Sequence, residues 1–294
     1  MKIGFAGLGV MGAPMAGHLQ RAGQQVIGFN RSPDKASAWA SAAGGQAAAT
    51  VAEAAAGAEL FILCVGNDHD VRGVVGQALP YLADGAVIVD HTTTSAVVAR
   101  EMAALAETSG RRFLDAPVSG GQAGAERGQL SVMVGGDPAA LETASAALEA
   151  YAKAIRHMGP SGSGQLTKMV NQIAIAGVVQ GLAEAVHFAQ QAGLDTDAVY
   201  EAVSQGAAQS WQMDNRWKTA AKGEFAFGFA VDWMRKDLGL VLDEARRNGS
   251  VLALTALVDQ FYAEVQAMGG SRWDTSSLAA RLQAPSSSAA RGAK

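Results

Sequence analysis

The chain has 294 residues, 49% hydrophobic and 17% charged, with a formal net charge of -4. That mild acidity, without any run of Lys or Arg, excludes nucleic acid as the main partner, because phosphate binding needs a concentrated basic patch. A single cysteine, Cys64, excludes an intrachain disulfide and suggests a reducing compartment; five scattered histidines give no metal-ligand spacing, so no metal is expected.

Met1-Lys2 and the apolar stretch after it imitate a secretory leader. Gly4, Gly7, Gly9 and Gly12 punctuate that stretch, and a strand followed by a glycine turn explains it better. No run reads as long and apolar enough to span a membrane, so a soluble, cytoplasmic protein without membrane partners is expected. Strands are predicted at 2–6, 25–29, 60–65, 86–90 and 112–115. Helical patterns lie between them at 11–22, 34–43, 70–79 and 96–109. Such alternation means βαβ units and a parallel sheet. A strand at 130–134, a helix at 138–150 and a strand at 154–157 complete this half.

The pattern changes after Gly159-Pro160-Ser161-Gly162. A long helix is predicted over 165–191, followed by helices at 195–204, 209–221, 231–248 and 252–268, with no returning strand. The fold class is an α/β Rossmann-type dinucleotide-binding domain (1–160) followed by an all-α domain (161–283). The Ser/Ala-rich tail, 284–294, reads as disordered. Gly177, Gly181 and Ala185 recur every four residues, a smooth stripe along which another helix can approach closely, which suggests a homodimer or homotetramer.

Gly7-Leu8-Gly9-Val10-Met11-Gly12 fits the G-x-G-x-x-G fingerprint between a predicted strand and a predicted helix, the context that gives the pattern meaning. Gly7 serves the tight turn, Gly9 the approach to the pyrophosphate, and Gly12 close helix–strand packing. After the second strand come Asn30-Arg31-Ser32, where NAD binders usually carry an acidic residue for the ribose 2′-hydroxyl. A neutral amide, a guanidinium and a hydroxyl suit a 2′-phosphate, favouring NADPH over NADH. The alternative is that Arg31 stacks on the adenine and either cofactor binds.

Asp90-His91-Thr92-Thr93-Thr94 ends the fourth predicted strand, where open α/β sheets bind ligands; helix capping by Thr94 or Ser95 explains the hydroxyls equally well. Ser119-Gly120-Gly121, after the fifth strand, is a candidate carboxylate cradle or an ordinary loop. Lys168 stands where a mostly apolar helix begins, with Asn171 and Gln172 on the same face at i+3 and i+4. The bland alternative is a lysine snorkelling from a helix edge. Lys236 reaches a cleft or lies on the surface. Trp211, Met213, Trp233 and Met234 suit a pocket or a core.

The order of these motifs resembles the β-hydroxyacid dehydrogenase family, which includes 3-hydroxyisobutyrate dehydrogenases, tartronate semialdehyde reductases and glyoxylate reductases. The resemblance runs from Met1 to about Leu282. It rests on Gly7–Gly12, Asp115–Gly121, the Gly-x-Gly-x-x-x-Lys segment ending at Lys168, and Lys236-Asp237-Leu238. It implies a 6-phosphogluconate dehydrogenase-like helical domain and an oxidoreductase that moves hydride between NAD(P) and a small carboxylated aldehyde or hydroxy acid. By the same resemblance Lys168 is the general acid/base, Asn171 and Gln172 orient it, Ser119, Gly120 and Gly121 hold the substrate carboxylate, and Thr93 and Lys236 contact the cofactor. Two departures stand out. Asn171-Gln172 replaces the Asn-Asn of many members, and Cys64-Val65-Gly66 replaces a Leu-Pro pair, altering the wall beside the cofactor at Cys64 and Val65. The rivals are an imine reductase, a class that generally replaces the lysine, and a non-catalytic NADPH-binding module.

Overall fold

The computed structural model describes residues 1–283, and the tail expected to be disordered lies outside them. The described chain forms two compact units, residues 1–168 and 169 onward.

The first unit runs β1 (Lys2–Ala6), α1 (Gly12–Arg21), β2 (Gln25–Phe29), α2 (Pro33–Ala43), β3 (Gln46–Ala48), α3 (Val51–Ala55), β4 (Leu60–Leu63), α4 (Asp68–Ala78), β5 (Val87–Asp90), α5 (Ala96–Thr108), β6 (Arg112–Asp115), β7 (Val118–Ser119), α6 (Gly121–Glu126), β8 (Leu130–Gly135), α7 (Pro138–Leu148) and β9 (Ala152–Gly159). Strand order is 3-2-1-4-5-6-8-7, with β9 on β8. The first six strands are parallel. β8 runs antiparallel to β6 and β7 and parallel to β9, so the sheet is parallel-dominated rather than wholly parallel.

β4 and β5 are buried along their whole length, as central strands covered on both faces must be. Alternation then sorts their side chains. Ile3, Phe5, Leu60, Ile62, Val87 and Val89 meet Met15 and Leu19 of α1 on one face. Phe61, Leu63 and Ile88 meet Val71, Val75, Val98 and Met102 on the other. The helices begin where side chains satisfy their first N–H groups: Thr50, Asn67, Ser95 and Asp137 cap α3, α4, α5 and α7. α1 has no such side-chain cap and no acidic residue in its first turn.

α8 (Ser163–Gln191) is one continuous helix whose residues through Lys168 belong to the first unit. The second unit adds α9 (Thr196–Val203), α10 (Trp211–Lys222), α11 (Val231–Asn248), α12 (Ala253–Ala267) and α13 (Leu278–Gln283). Its core joins Ala176, Val179 and Ala183 of α8 to Val231, Met234 and Leu238 of α11 and Val258, Tyr262 and Val265 of α12. Asp274 ties the connection before α13, accepting from Arg216 Nε at 2.9 Å and from the Phe229 and Ser276 N–H groups at 3.0 Å each.

The expectation that no run is long and apolar enough to span a membrane is corrected by α8. Its 29 residues include an 18-residue window of mean hydropathy 1.3, which meets that test by length and composition. Its polar residues are too sparse to lower the mean. Gln165, Lys168, Gln172 and Gln180 are nevertheless all buried within the protein.

Candidate active site

Because β1, β4, β5 and β6 are parallel, their C-terminal ends share one edge, and the order reverses between β1 and β4, where open α/β sheets bind ligands. The segments leaving that edge carry most of the sequence-predicted residues.

The glycine loop is shaped by close contacts. Gly7 has φ +99°, and a Cβ there would lie 2.1 Å from the Cys64 carbonyl oxygen. A Cβ on Gly12 would lie 1.8 Å from the Gly7 carbonyl oxygen, whereas one on Gly9 would meet nothing within 4 Å. Two glycines are therefore required by the protein's own backbone, and the third faces open space, as the approach of a ligand requires. Gly9 and Val10 are exposed and Met11 is half-buried. Together with the uncapped start of α1, this cradle fits a dinucleotide pyrophosphate. Leu8 is buried, and its N–H donates to Asn30 Oδ1 at 3.0 Å. Asn30 also donates through Nδ2 to the Ser32 carbonyl at 3.2 Å, so its amide braces the loop from within. Arg31 projects with a 90% exposed side chain, its guanidinium 3.7 Å from Asp70, and Ser32 is exposed at the start of α2.

At the ends of β4 and β5, the Val65 N–H donates to Thr92 Oγ1 at 3.0 Å, and the Thr92 N–H donates to Asp90 Oδ1 at 2.9 Å. Cys64 and Val65 are half-buried. Thr92 and Thr94 are buried, and Thr93 between them is half-buried. Ser95, not Thr94, caps α5, accepting from the Val98 N–H at 3.1 Å. After β6, Ser119 is half-buried and Gly120 and Gly121 are exposed with φ +132° and +61°. Such φ values are open to glycine and strained for other residues, so the loop is shaped by its two glycines.

Lys168 is 8% exposed. Its placement follows from how α8 starts. The Asp115 carboxylate accepts from the Gly162 N–H at 2.7 Å and the Gln165 N–H at 2.9 Å, gripping the helix's first turn from the sheet. Burial pushes the Asp115 carboxyl above its ordinary range, an effect opposed by those N–H groups. Gly162 has φ +94°, and a Cβ on Gly164 would lie 2.4 Å from both the Asp115 and the Met133 carbonyl oxygens. The Gly-x-Gly-x-x-x-Lys spacing is thus a turn, a close approach and then one helical turn to the lysine.

In the second unit, Asn171 Nδ2 donates to Gln172 Oε1 at 2.8 Å, and Gln172 Nε2 donates to Asp237 Oδ2 at 2.6 Å. Lys236 Nζ lies 2.9 Å from Asp237 Oδ1. These four residues form one chain of polar contacts. Arg235, beside Lys236 on α11, is half-buried and pairs with Asp259 at 3.0 Å. Met213 and Met234 are buried in cores, whereas Trp211 and Trp233 are 51% and 41% exposed. Sequence reasoning missed Asp115 and Gln165 as the residues that fix the start of α8, and Asp237 as the acceptor joining Gln172 to Lys236.

Residues 2–159 match the family described as the NAD binding domain of 6-phosphogluconate dehydrogenase, and residues 162–282 match the NAD-binding domain of NADP-dependent 3-hydroxyisobutyrate dehydrogenase. An uncharacterized oxidoreductase of Shewanella frigidimarina is 60% identical over 96% of this chain and 98% of its own. The 2-(hydroxymethyl)glutarate dehydrogenase of Eubacterium barkeri is 35% identical over 95% of this chain and 93% of its own. Among solved structures, 3-hydroxyisobutyrate dehydrogenase from Mycobacterium tuberculosis with L-serine aligns at a TM-score of 0.87 and 34% identity, covering 96% of this chain and 99% of that one. The chain belongs to the β-hydroxyacid dehydrogenase family. Within it, the protein is an NAD(P)-dependent oxidoreductase of the 3-hydroxyisobutyrate dehydrogenase type, acting on a CH–OH group.

Proposed function

We propose that the protein interconverts a small β-hydroxy acid and its semialdehyde or keto acid, of the 3-hydroxyisobutyrate, tartronate semialdehyde or glyoxylate type, with Lys168 as the general acid/base. The observation that carries this reading is a buried lysine fixed one helical turn beyond a clamp built from the sheet edge. When bound, the nicotinamide supplies or takes up the hydride. Lys168 Nζ gives a proton to the substrate oxygen in reduction and receives it in oxidation. Ser119 and the N–H groups of Gly120 and Gly121 hold the carboxylate. Asn171 and Gln172 orient the reacting groups, and Asp237 keeps the Gln172 amide in one orientation.

Gly7, Gly9, Val10, Met11 and Gly12 hold the pyrophosphate, with Leu8 and Asn30 supporting the loop. Thr93, Cys64 and Val65 form the wall beside the nicotinamide, and Lys236 is a further cofactor contact. Exposed Arg31 with Ser32 suits a 2′-phosphate and favours NADPH over NADH. Residues 1–160 then form the cofactor domain and 161–283 the substrate and oligomerisation domain. On α8, Val170, Val178 and Phe188 are exposed, and a Cβ on Gly181 would meet nothing within 4 Å. A second copy of the chain on this face gives a homodimer or homotetramer. A cytoplasmic location fits a reaction that draws on a soluble cofactor pool.

The test is initial rates of NADPH and NADH oxidation with glyoxylate, tartronate semialdehyde, succinic semialdehyde, methylmalonate semialdehyde and one cyclic imine. Rapid NADPH-dependent reduction of a carboxylated aldehyde supports the reading. Turnover of the imine alone, or tight NADPH binding without turnover, replaces it with an imine reductase or a binding module.

A further inference from the structure

Gln165 is fully buried, carries no charge and fills one of the unspecified positions of the Gly-x-Gly-x-x-x-Lys segment. Its carboxamide makes two hydrogen bonds to one segment. Nε2 donates to the Thr92 carbonyl at 2.7 Å, and Oε1 accepts from the Thr94 N–H at 3.0 Å. The side chain thus behaves as a peptide unit of an adjacent strand would, closing on the two backbone groups that flank Thr93. Its own N–H is held by Asp115 Oδ2 at 2.9 Å. Thr92 is fixed further by the Val65 N–H on its hydroxyl and by Asp90 on its N–H. Lys168 follows three residues after Gln165, on the same face of α8.

We propose that Gln165 is a positioning residue that locks the turn carrying Thr93 to the helical turn carrying Lys168, so that the cofactor-facing wall and the proton-transferring amine keep one spacing. The inference rests on the reading of Lys168 as the group that transfers the proton. A rigid link matters here because both transfers happen at one substrate carbon–oxygen bond, and displacement of one group by about 1 Å can cost about a hundredfold in rate. The Asp115 carboxylate grips the helix start and Thr92 Oγ1 accepts from Val65, while the Gln165 carboxamide spans from the helix to the turn.

The experiment compares the full chain with Gln165→Met, which keeps the length but loses both bonds. Gln165→Asn keeps the amide on a stem too short to span both partners. Lys168→Ala serves as the reference. Amide hydrogen exchange is followed over residues 90–96 without cofactor, NADPH binding by fluorescence, and kcat and KM with the substrate that turns over fastest. The expected result is at least a tenfold loss of protection at the Thr94 amide in both glutamine variants. Alongside it we expect a tenfold or greater fall in kcat, with the NADPH dissociation constant and the KM for the acid within about threefold of wild type. Unchanged exchange, or kcat within twofold of wild type in either folded variant, overturns the inference. So does a loss of NADPH affinity and unfolding temperature that matches the loss of kcat, which marks a merely structural role. If Gln165→Met fails to fold, Gln165→Asn alone decides by the same criteria. Full turnover by Lys168→Ala removes the mechanistic reading, and the exchange data then still decide whether Gln165 fixes the turn.

Discussion

The Tyr151 hydroxyl lies 2.8 Å from His91 Nε2, with both rings buried and set edge to face. His91 Nδ1 sits 2.6 Å from the Ala116 carbonyl, which can only accept, so Nδ1 carries the hydrogen and Nε2 receives the tyrosine's. The imidazole is neutral, and burial lowers its pKa to about 4 against the opposing pull of the Ala116 carbonyl. The unfolded chain, with a histidine near 6.5, therefore binds this proton first as pH falls. The stability contributed by the neutral ring is present above about pH 6.5 and is lost as pH falls toward 4, by about 3 kcal/mol in all. Urea unfolding from about pH 7.5 to about pH 4.5 should show this slope, and His91→Gln should flatten it. Identical slopes in both proteins would mean that His91 is not the group responsible.

The glycine loop separates a structural from a ligand-facing requirement. Gly12→Ala puts a methyl into the Gly7 carbonyl and should destabilise the protein by about 1–3 kcal/mol while abolishing cofactor binding. Gly9→Ala meets open space and should leave the unfolding temperature unchanged while raising the NADPH dissociation constant about tenfold or more. Calorimetry and fluorescence titration read both. Wild-type NADPH affinity in Gly9→Ala would show that this backbone does not face the pyrophosphate.

Lys168→Ala should reduce kcat by about a hundredfold to ten-thousandfold, the span attributed to a positioned proton-transfer group, with NADPH affinity nearly intact. Stopped-flow turnover with the preferred aldehyde measures it. A variant with wild-type rates would make Lys168 a packing residue.

Arg31 lies on the surface, 3.7 Å from Asp70, and an exposed pair at that distance adds little to the fold. Arg31→Ala should raise the KM for NADPH about tenfold or more, the loss expected for one charged hydrogen bond, and leave NADH and thermal stability unchanged. Equal losses with both cofactors would show that Arg31 does not read the phosphate.

Phe188 is 71% exposed on α8, where Val170 and Val178 are exposed as well. Phe188→Asp should shift the protein toward monomer in sedimentation velocity. An unchanged distribution would exclude this face from the assembly.

Most of the α/β half was legible because its strands are long apolar runs and its helices carry side-chain caps. β3 escaped because Gln46-Ala47-Ala48 holds no β-branched or aromatic residue, and α6 because Gly121-Gln122-Ala123-Gly124 reads as loop. The antiparallel setting of β8 escaped because a buried strand looks alike in either direction, and direction here is set by the β6 and β7 partners it finds. The place of Asn30 after the second strand is legible, but nothing in the sequence shows that its Oδ1 meets the Leu8 N–H. Gln165 was passed over because a lone glutamine has no signature until its two partners, more than seventy residues earlier, are seen together.

The wall beside the glycine loop is touched by Cys64 through its carbonyl oxygen, which any amino acid would place there. The N–H of the same residue continues the pairing of β4 with β1 by donating to the Ala6 carbonyl at 2.9 Å. Main chain at Cys64 and the Val65 Cγ1, 3.3 Å from where a Cβ on Gly7 would stand, thus define this side of the cradle. Cys64 keeps that pairing and packs its own side chain against the core of the first unit, so Cys64-Val65-Gly66 in place of a Leu-Pro pair alters the lining of the site while keeping backbone N–H donors that a proline lacks.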